Sequence, residues 1–122
     1  MPDSTVTPAV VNRAVDRIIA APGTGAAQVA MEAGASPSNL RRLFHEHLNC
    51  SVGEFLRQTR INRARYYLAT SERSISEIGE LCGYASIYSF SRSFRQAVGE
   101  SPTLYRDHVL RGDGRGKIQL PN

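Results

Sequence analysis

Apolar residues recur at spacings of three and four along most of the chain, and caps or Gly and Pro break the pattern into seven helical stretches. Thr7-Pro8 reads as a cap with Pro at the first helical position, ahead of an apolar stripe of Val10, Val11, Ala14, Val15, Ile18 and Ile19. Asn12, Arg13, Asp16 and Arg17 lie opposite, so this helix is expected to be packing support with no contact chemistry of its own. A second, short helix begins at Thr24 or Gly25 and ends at Gly34. Ser36-Pro37 opens the third, with Leu40, Leu43, Phe44 and Leu48 inward, and Asn49 closes it.

Ser51 with Glu54 three residues on forms a capping box and starts the longest helix, expected to run to about Ala69. Val52, Phe55, Leu56, Ala64, Tyr67 and Leu68 give that helix apolar faces toward both halves of the chain. Ser74 and Glu77 repeat the capping-box pattern for helix five, whose inner side is read as Ile75, Ile78, Leu81 and Cys82. Gly79 in its interior costs about 1 kcal/mol against Ala and points to close helix approach. Helix six follows Gly83 and the cap Ser86, with Phe90, Phe94 and Val98 inward, and Gly99 ends it. Ser101-Pro102 opens helix seven, expected to end at Leu110, with His108 facing water or the negative end of its helix.

The chain carries one pattern twice. A shift of 50 residues lays Ser36 on Ser86, Leu40 on Phe90, Arg42 on Arg92, Phe44 on Phe94, Asn49 on Gly99 and Ser51 on Ser101. Upstream of the turn the offset is 49, pairing Val29 with Ile78 and Gly34 with Gly83. Two short helices joined by a Gly turn, the second bearing Arg on its outer face, is the helix-turn-helix plan. The expected fold is all-α: seven helices in two helix-turn-helix subdomains, 7–51 and 71–110, joined by a long central helix, 52–70. Segments 1–6 and 111–122 read as disordered tails.

Charge sharpens this picture. The net charge is +4, and of 15 basic residues all but Lys117 are Arg. Many of them fall on or between the two outer helices, which favours nucleic acid as partner over an acidic small molecule. No acid–base pair, phosphate loop, nucleophile elbow or metal set is visible, so neither an enzyme nor a cofactor is expected. His45 and His47 are two apart on a helix and point away from each other, and Cys50 and Cys82 form no ligand pattern. No apolar run approaches the roughly 18 residues that a membrane span needs, and a cytoplasmic location is expected.

The second copy, Gly83-Tyr84, Ser89-Phe90-Ser91-Arg92-Ser93-Phe94 and Gly99-Glu100-Ser101-Pro102 through Tyr105-Arg106, closely resembles the signature of the AraC/XylS family of bacterial transcription regulators. The first copy, Ser36-Pro37 through Leu40, Arg42, Leu43 and Phe44 and then Ser51, Phe55 and Leu56, is similar but less tight. Asn49 and Gly79 stand where the family usually has Gly and Ala, and Ile87 and Tyr88 occupy positions that are often polar.

The resemblance implies that helices three and six enter adjacent major grooves on one face of double-stranded DNA. By position it assigns base reading to Ser38, Asn39, Arg41 and Arg42 in the first copy and to Ile87, Tyr88, Ser91 and Arg92 in the second. Arg suits guanine O6 and N7, Asn suits adenine N6 and N7, and Ile87 offers only apolar contact such as a thymine methyl. Arg57, Arg60, Arg95 and Arg106 are expected at phosphates, aided by the helix amino ends at Ser36, Ser51, Ser86 and Ser101. RNA polymerase is a second expected partner. As it stands the chain is expected to be monomeric, with dimers formed through an effector domain outside it. It reads either as an excised carboxy-terminal domain or as a stand-alone family member. The rival readings are a helical protein-interaction module and a non-specific basic nucleic-acid binder.

Overall fold

A computed structural model of the chain describes residues 7–112, and among these are seven helices and no strand. The tails expected over 1–6 and 111–122 lie outside the described residues, apart from Arg111 and Gly112. Those two close the last helix, their amides donating to Asp107 O and Val109 O at 3.1 Å each. The helices are α1 (Ala9–Ala20), α2 (Ala26–Ala33), α3 (Pro37–Leu48), α4 (Val52–Thr70), α5 (Ile75–Leu81), α6 (Ile87–Val98) and α7 (Pro102–Leu110).

Five of the seven starts follow the serine logic of the sequence. Ser36, Ser86 and Ser101 accept the amides of Asn39, Ser89 and Leu104 through their hydroxyls. Ser51 Oγ accepts from Glu54 N while Glu54 Oε1 accepts from Ser51 N, both at 3.0 Å. Ser74 and Glu77 exchange the same pair of bonds at 3.0 and 2.9 Å. These bonds favour the ionised carboxylates and hold both Glu54 and Glu77 below the ordinary value of 4.5. The start of α1 differs from expectation. Pro8 is itself the cap position and no side chain caps the helix, so Thr7 plays no such part. Its fixed φ favours starting a helix just after it, while its ring carries no oxygen to accept a first-turn amide.

The chain divides into two compact units between Thr59 and Arg60, inside α4. In the first unit Val11, Ala14 and Ile18 of α1, Val29, Ala30 and Ala33 of α2, Leu40 and Phe44 of α3, and Val52 and Leu56 of α4 form one core. In the second, Ile61, Ala64 and Leu68 of α4 join Ile78, Cys82, Phe90, Phe94 and Tyr105. The central helix is thus core on both sides of the boundary, and Ile61, which the sequence reading passed over, is among its buried residues.

The corners between α2 and α3 and between α5 and α6 turn on Gly34 at φ 82° and Gly83 at φ 98°, and the turns that close α3 and α6 likewise use backbone that L-residues seldom adopt. Asn49 ends α3 at φ 57° and Gly99 ends α6 at φ 96°, so the two equivalent positions share a left-handed turn, as their pairing in sequence requires. Inside the second unit Gly79 lets α6 approach α5. A Cβ built there would stand 2.9 Å from Phe90 Cδ2 and 3.1 Å from Phe90 Cβ.

Four expectations need correction. Leu81, read as inward, is 45% exposed, because Ile78 and Cys82 four residues apart take the buried stripe of a helix that ends at Leu81. Ile19 is likewise half exposed at the last turn of α1. Arg13 is no bystander: its Nε and NH2 donate to Ala33 O at 3.1 and 2.8 Å, satisfying a carbonyl at the open end of α2. His108 faces neither water nor its own helix end. Its Nδ1 stands 2.8 Å from Glu100 Oε1, close but off the hydrogen-bond axis, and both side chains are largely buried.

Candidate nucleic-acid interface

In each unit one helix turns an apolar pair four residues apart into the core and leaves an arginine-bearing face outside. In α3 the pair is Leu40 and Phe44, which leaves Ser38, Arg41, Arg42 and His45 exposed and Asn39 half-buried. In α6 it is Phe90 and Phe94, which leaves Ile87, Tyr88, Arg92 and Arg95 exposed and Ser91 half-buried. Tyr88 is the more prominent of the two apolar residues there, 79% exposed against 39% for Ile87.

Arg42 is held on both sides. Its NH1 lies 3.0 Å from Glu46 Oε2 and its NH2 donates to Asn39 Oδ1 at 2.6 Å. The matching bonds are absent in α6, where the Ser89 hydroxyl is turned back to the cap at Ser86. Neither Glu46 nor this use of Asn39 was singled out from sequence, although spacings of three and four on one helix face are the signal that finds such contacts.

The expected phosphate residues separate into groups. Arg57 and Arg95 are exposed. Arg60 is half-buried, with its guanidinium 5.8 Å from the centroid of the Tyr84 ring, a cation–π distance. Tyr84 in turn stacks 5.2 Å from Phe90 and meets Ser93 Oγ at 3.0 Å, so Arg60 leans on the body of the second helix-turn-helix. Arg106 has other work. Its Nε donates to Leu68 O and its NH2 to Ser71 O, both at 3.1 Å, closing the end of α4 from α7. Two of its nitrogens are thus bonded to carbonyls within the fold.

Ser36 and Ser51 cap helices whose first residues share a cleft. A cavity of about 170 Å³ in the first unit is lined by Ala26, Pro37, Arg41, Ser51, Val52 and Gly53 among others. The amino ends of α2, α3 and α4 therefore open beside one exposed arginine, an arrangement of backbone donors and positive charge that favours an anion.

The remaining candidate chemistry is inert. Burial pushes the Cys82 thiol up to about 11 and raises Cys50 less, so neither is a ready thiolate. Burial also raises the Tyr105 hydroxyl within the second core. Among the described residues no three His, Cys, Asp or Glu side chains gather to hold a metal ion, and no helix is long and apolar enough to cross a membrane.

Two helix-turn-helix units on one chain, each with its second helix exposed and basic, define a double helix-turn-helix DNA-binding domain. The chain belongs to the AraC family of transcription-regulator DNA-binding domains: a helix-turn-helix domain family matches residues 29–108, well over half of it. It is 38% identical over 81 residues to regulatory protein SoxS of Salmonella typhimurium, covering 66% of this chain and 76% of that one. It is 31% identical over 81 residues to the Msm operon regulatory protein of Streptococcus mutans, covering 66% of this chain and 29% of that one. The fold matches the DNA-binding domain of AdpA, solved with a target DNA, at a TM-score of 0.79 and 23% identity, over 88% of this chain and all of that one. The chain thus spans 24–29% of the length of several curated relatives. The family is a class of DNA-binding regulators, which is not an enzyme class.

Proposed function

We propose that the chain binds promoter DNA and regulates transcription by laying α3 and α6 into adjacent major grooves. The observation that carries this reading is the repeated exposed face: Arg41 and Arg42 over the Leu40–Phe44 pair, Arg92 and Arg95 over the Phe90–Phe94 pair. Arg42 and Arg92 are its principal base readers, with Ser38, Asn39, Arg41, Ile87, Tyr88 and Ser91 beside them. Phosphates are met by Arg57, Arg60 and Arg95 and by the amino ends at Ser36, Ser51, Ser86 and Ser101. Arg106 is left out of this set because its donors are used within the fold.

Further support comes from α4. Its 19 residues extend about 28 Å at ~1.5 Å per residue, the scale of one turn of DNA, roughly 34 Å. AdpA, a structural neighbour, was solved with its own target DNA. RNA polymerase as second partner belongs to the same proposal, tested by its co-retention with this chain on promoter DNA. Titrating duplexes of equal length but different sequence against salt tests the core of it. The reading expects log K to fall steeply with log salt and one sequence to win. Equal binding to all duplexes supports a non-specific binder, and no duplex binding supports a protein-interaction module.

A further inference from the structure

We propose that Glu46 is a specificity-setting residue: with Asn39 it clamps the Arg42 guanidinium and makes the Asn39–Arg42 pair of the first reading helix a donor-only probe that selects guanine. This rests on the proposal that α3 reads bases, and it goes further by naming the base and a residue that acts through Arg42.

The side chains of Arg42 and Glu46 are 58% and 50% exposed. Exposed pairs four apart add little to stability, so the fold gives Glu46 little reason to be there. A carboxylate on a face meant for a polyanion also weakens attraction to every duplex, whatever its sequence. What the carboxylate does supply is geometry. Glu46 Oε2 at 3.0 Å from NH1 and Asn39 Oδ1 at 2.6 Å from NH2 fix both ends of a planar group that would otherwise be ordered only on binding.

The clamp also decides what Asn39 can offer. Arginine only donates, so the amide oxygen of Asn39 must face NH2 and its nitrogen takes no part in the clamp. The pairing with adenine expected for Asn39 needs both the oxygen and the nitrogen on the base edge. While the clamp holds, Asn39 and Arg42 present hydrogen-bond donors alone. Guanine shows two acceptors in the major groove, N7 and O6, whereas adenine sets an amino donor beside its N7.

The second copy serves as an internal comparison. Shifted by 50, Asn39, Arg42 and Glu46 become Ser89, Arg92 and Gln96. The Ser89 hydroxyl accepts from Ser86 N and donates to Ser86 O, and Arg92 has no hydrogen bond or ion pair among the described residues. One arginine is hydrogen-bonded on both sides and its counterpart is not.

Glu46→Ala in the full chain tests this, with wild type and Arg42→Ala alongside, using selection from random duplexes and competition between duplexes differing at one base. The wild type should prefer guanine at the base whose preference Arg42→Ala erases. Glu46→Ala should raise affinity for unrelated duplexes, because a negative charge is gone, yet lower the guanine-over-adenine ratio at that base by roughly threefold to tenfold. Circular dichroism should show the variant folded, since Glu46 touches no core. The proposal is overturned if that ratio moves by less than about twofold while all duplexes gain affinity alike, or if the base is not guanine. Should Arg42→Ala alter no base preference, base reading by α3 fails first and this inference with it.

Discussion

Phe90 lies so tightly over Gly79 that a methyl group on Gly79 would stand 2.9 Å from the ring's Cδ2 and 3.0 Å from its Cγ. The first copy of the repeat solves the same packing problem differently, with Ala30 at the position of Gly79 and Leu40 at that of Phe90, both buried. A larger helix residue is matched with a smaller one across the corner in each case, so the two units keep one fold with exchanged volumes.

Gly79→Ala should therefore destabilise the second unit. Overpacking costs about 1–3 kcal/mol, and the helix-propensity gain of about 1 kcal/mol offsets only part of it. Combining Gly79→Ala with Phe90→Leu recreates the arrangement of Ala30 and Leu40. Urea unfolding should show the double variant more stable than the two single losses added together, by on the order of 1 kcal/mol. Simple additivity would mean that the ring and the glycine are not coupled.

Arg106 and Arg57 should fail in different ways when removed. Arg106→Ala strips two carbonyls at the end of α4 of their donor and should cost about 1–2 kcal/mol of stability, discounted for its partial exposure. The slope of log K against log salt for DNA binding should stay as it was. Arg57→Ala should leave the urea midpoint in place and lower that slope by about 1, with every sequence weakened alike. A reduced slope for Arg106→Ala would return that residue to the phosphate contacts.

The capping boxes predict a particular acid limb. Glu54 and Glu77 are depressed in the folded chain from the ordinary value of 4.5, first by the Ser51 and Ser74 amides that they accept. A depressed carboxylate stabilises the fold above its unfolded value and loses that contribution as pH falls through its lower folded value. Stability should thus decline from just above 4.5 downward. The Glu54→Gln, Glu77→Gln double variant should be weaker at neutral pH and fall less steeply in acid. Urea midpoints across the acid range measure both features.

Helices and caps are legible because each depends on residues three or four apart, the repeat because the same residue types return after 49 or 50 positions, and Asn49 matches Gly99 because both suit a left-handed turn. The bonds that Arg106 makes within the fold could not be read from sequence. Its acceptors at Leu68 and Ser71 are 38 and 35 residues away and are created only when α7 meets the end of α4. Arg13, which reaches Ala33 across 20 residues, is the same kind of case. The Arg42 clamp is different. Asn39 and Glu46 lie at helix spacings from Arg42, so the contact was readable, but which residues share Arg42 among several outward-facing candidates needed the coordinates.

Selection of bound duplexes from a random pool, run in parallel for wild type, Arg42→Ala and Arg92→Ala, tests most directly the claim that one chain carries two base readers. The wild type should select two clusters of bases about one helical turn apart, and each variant should lose preference at one cluster only, by about 1–3 kcal/mol. If both variants bind every duplex more weakly and still select the wild-type sequence, these arginines hold the backbone and do not read bases.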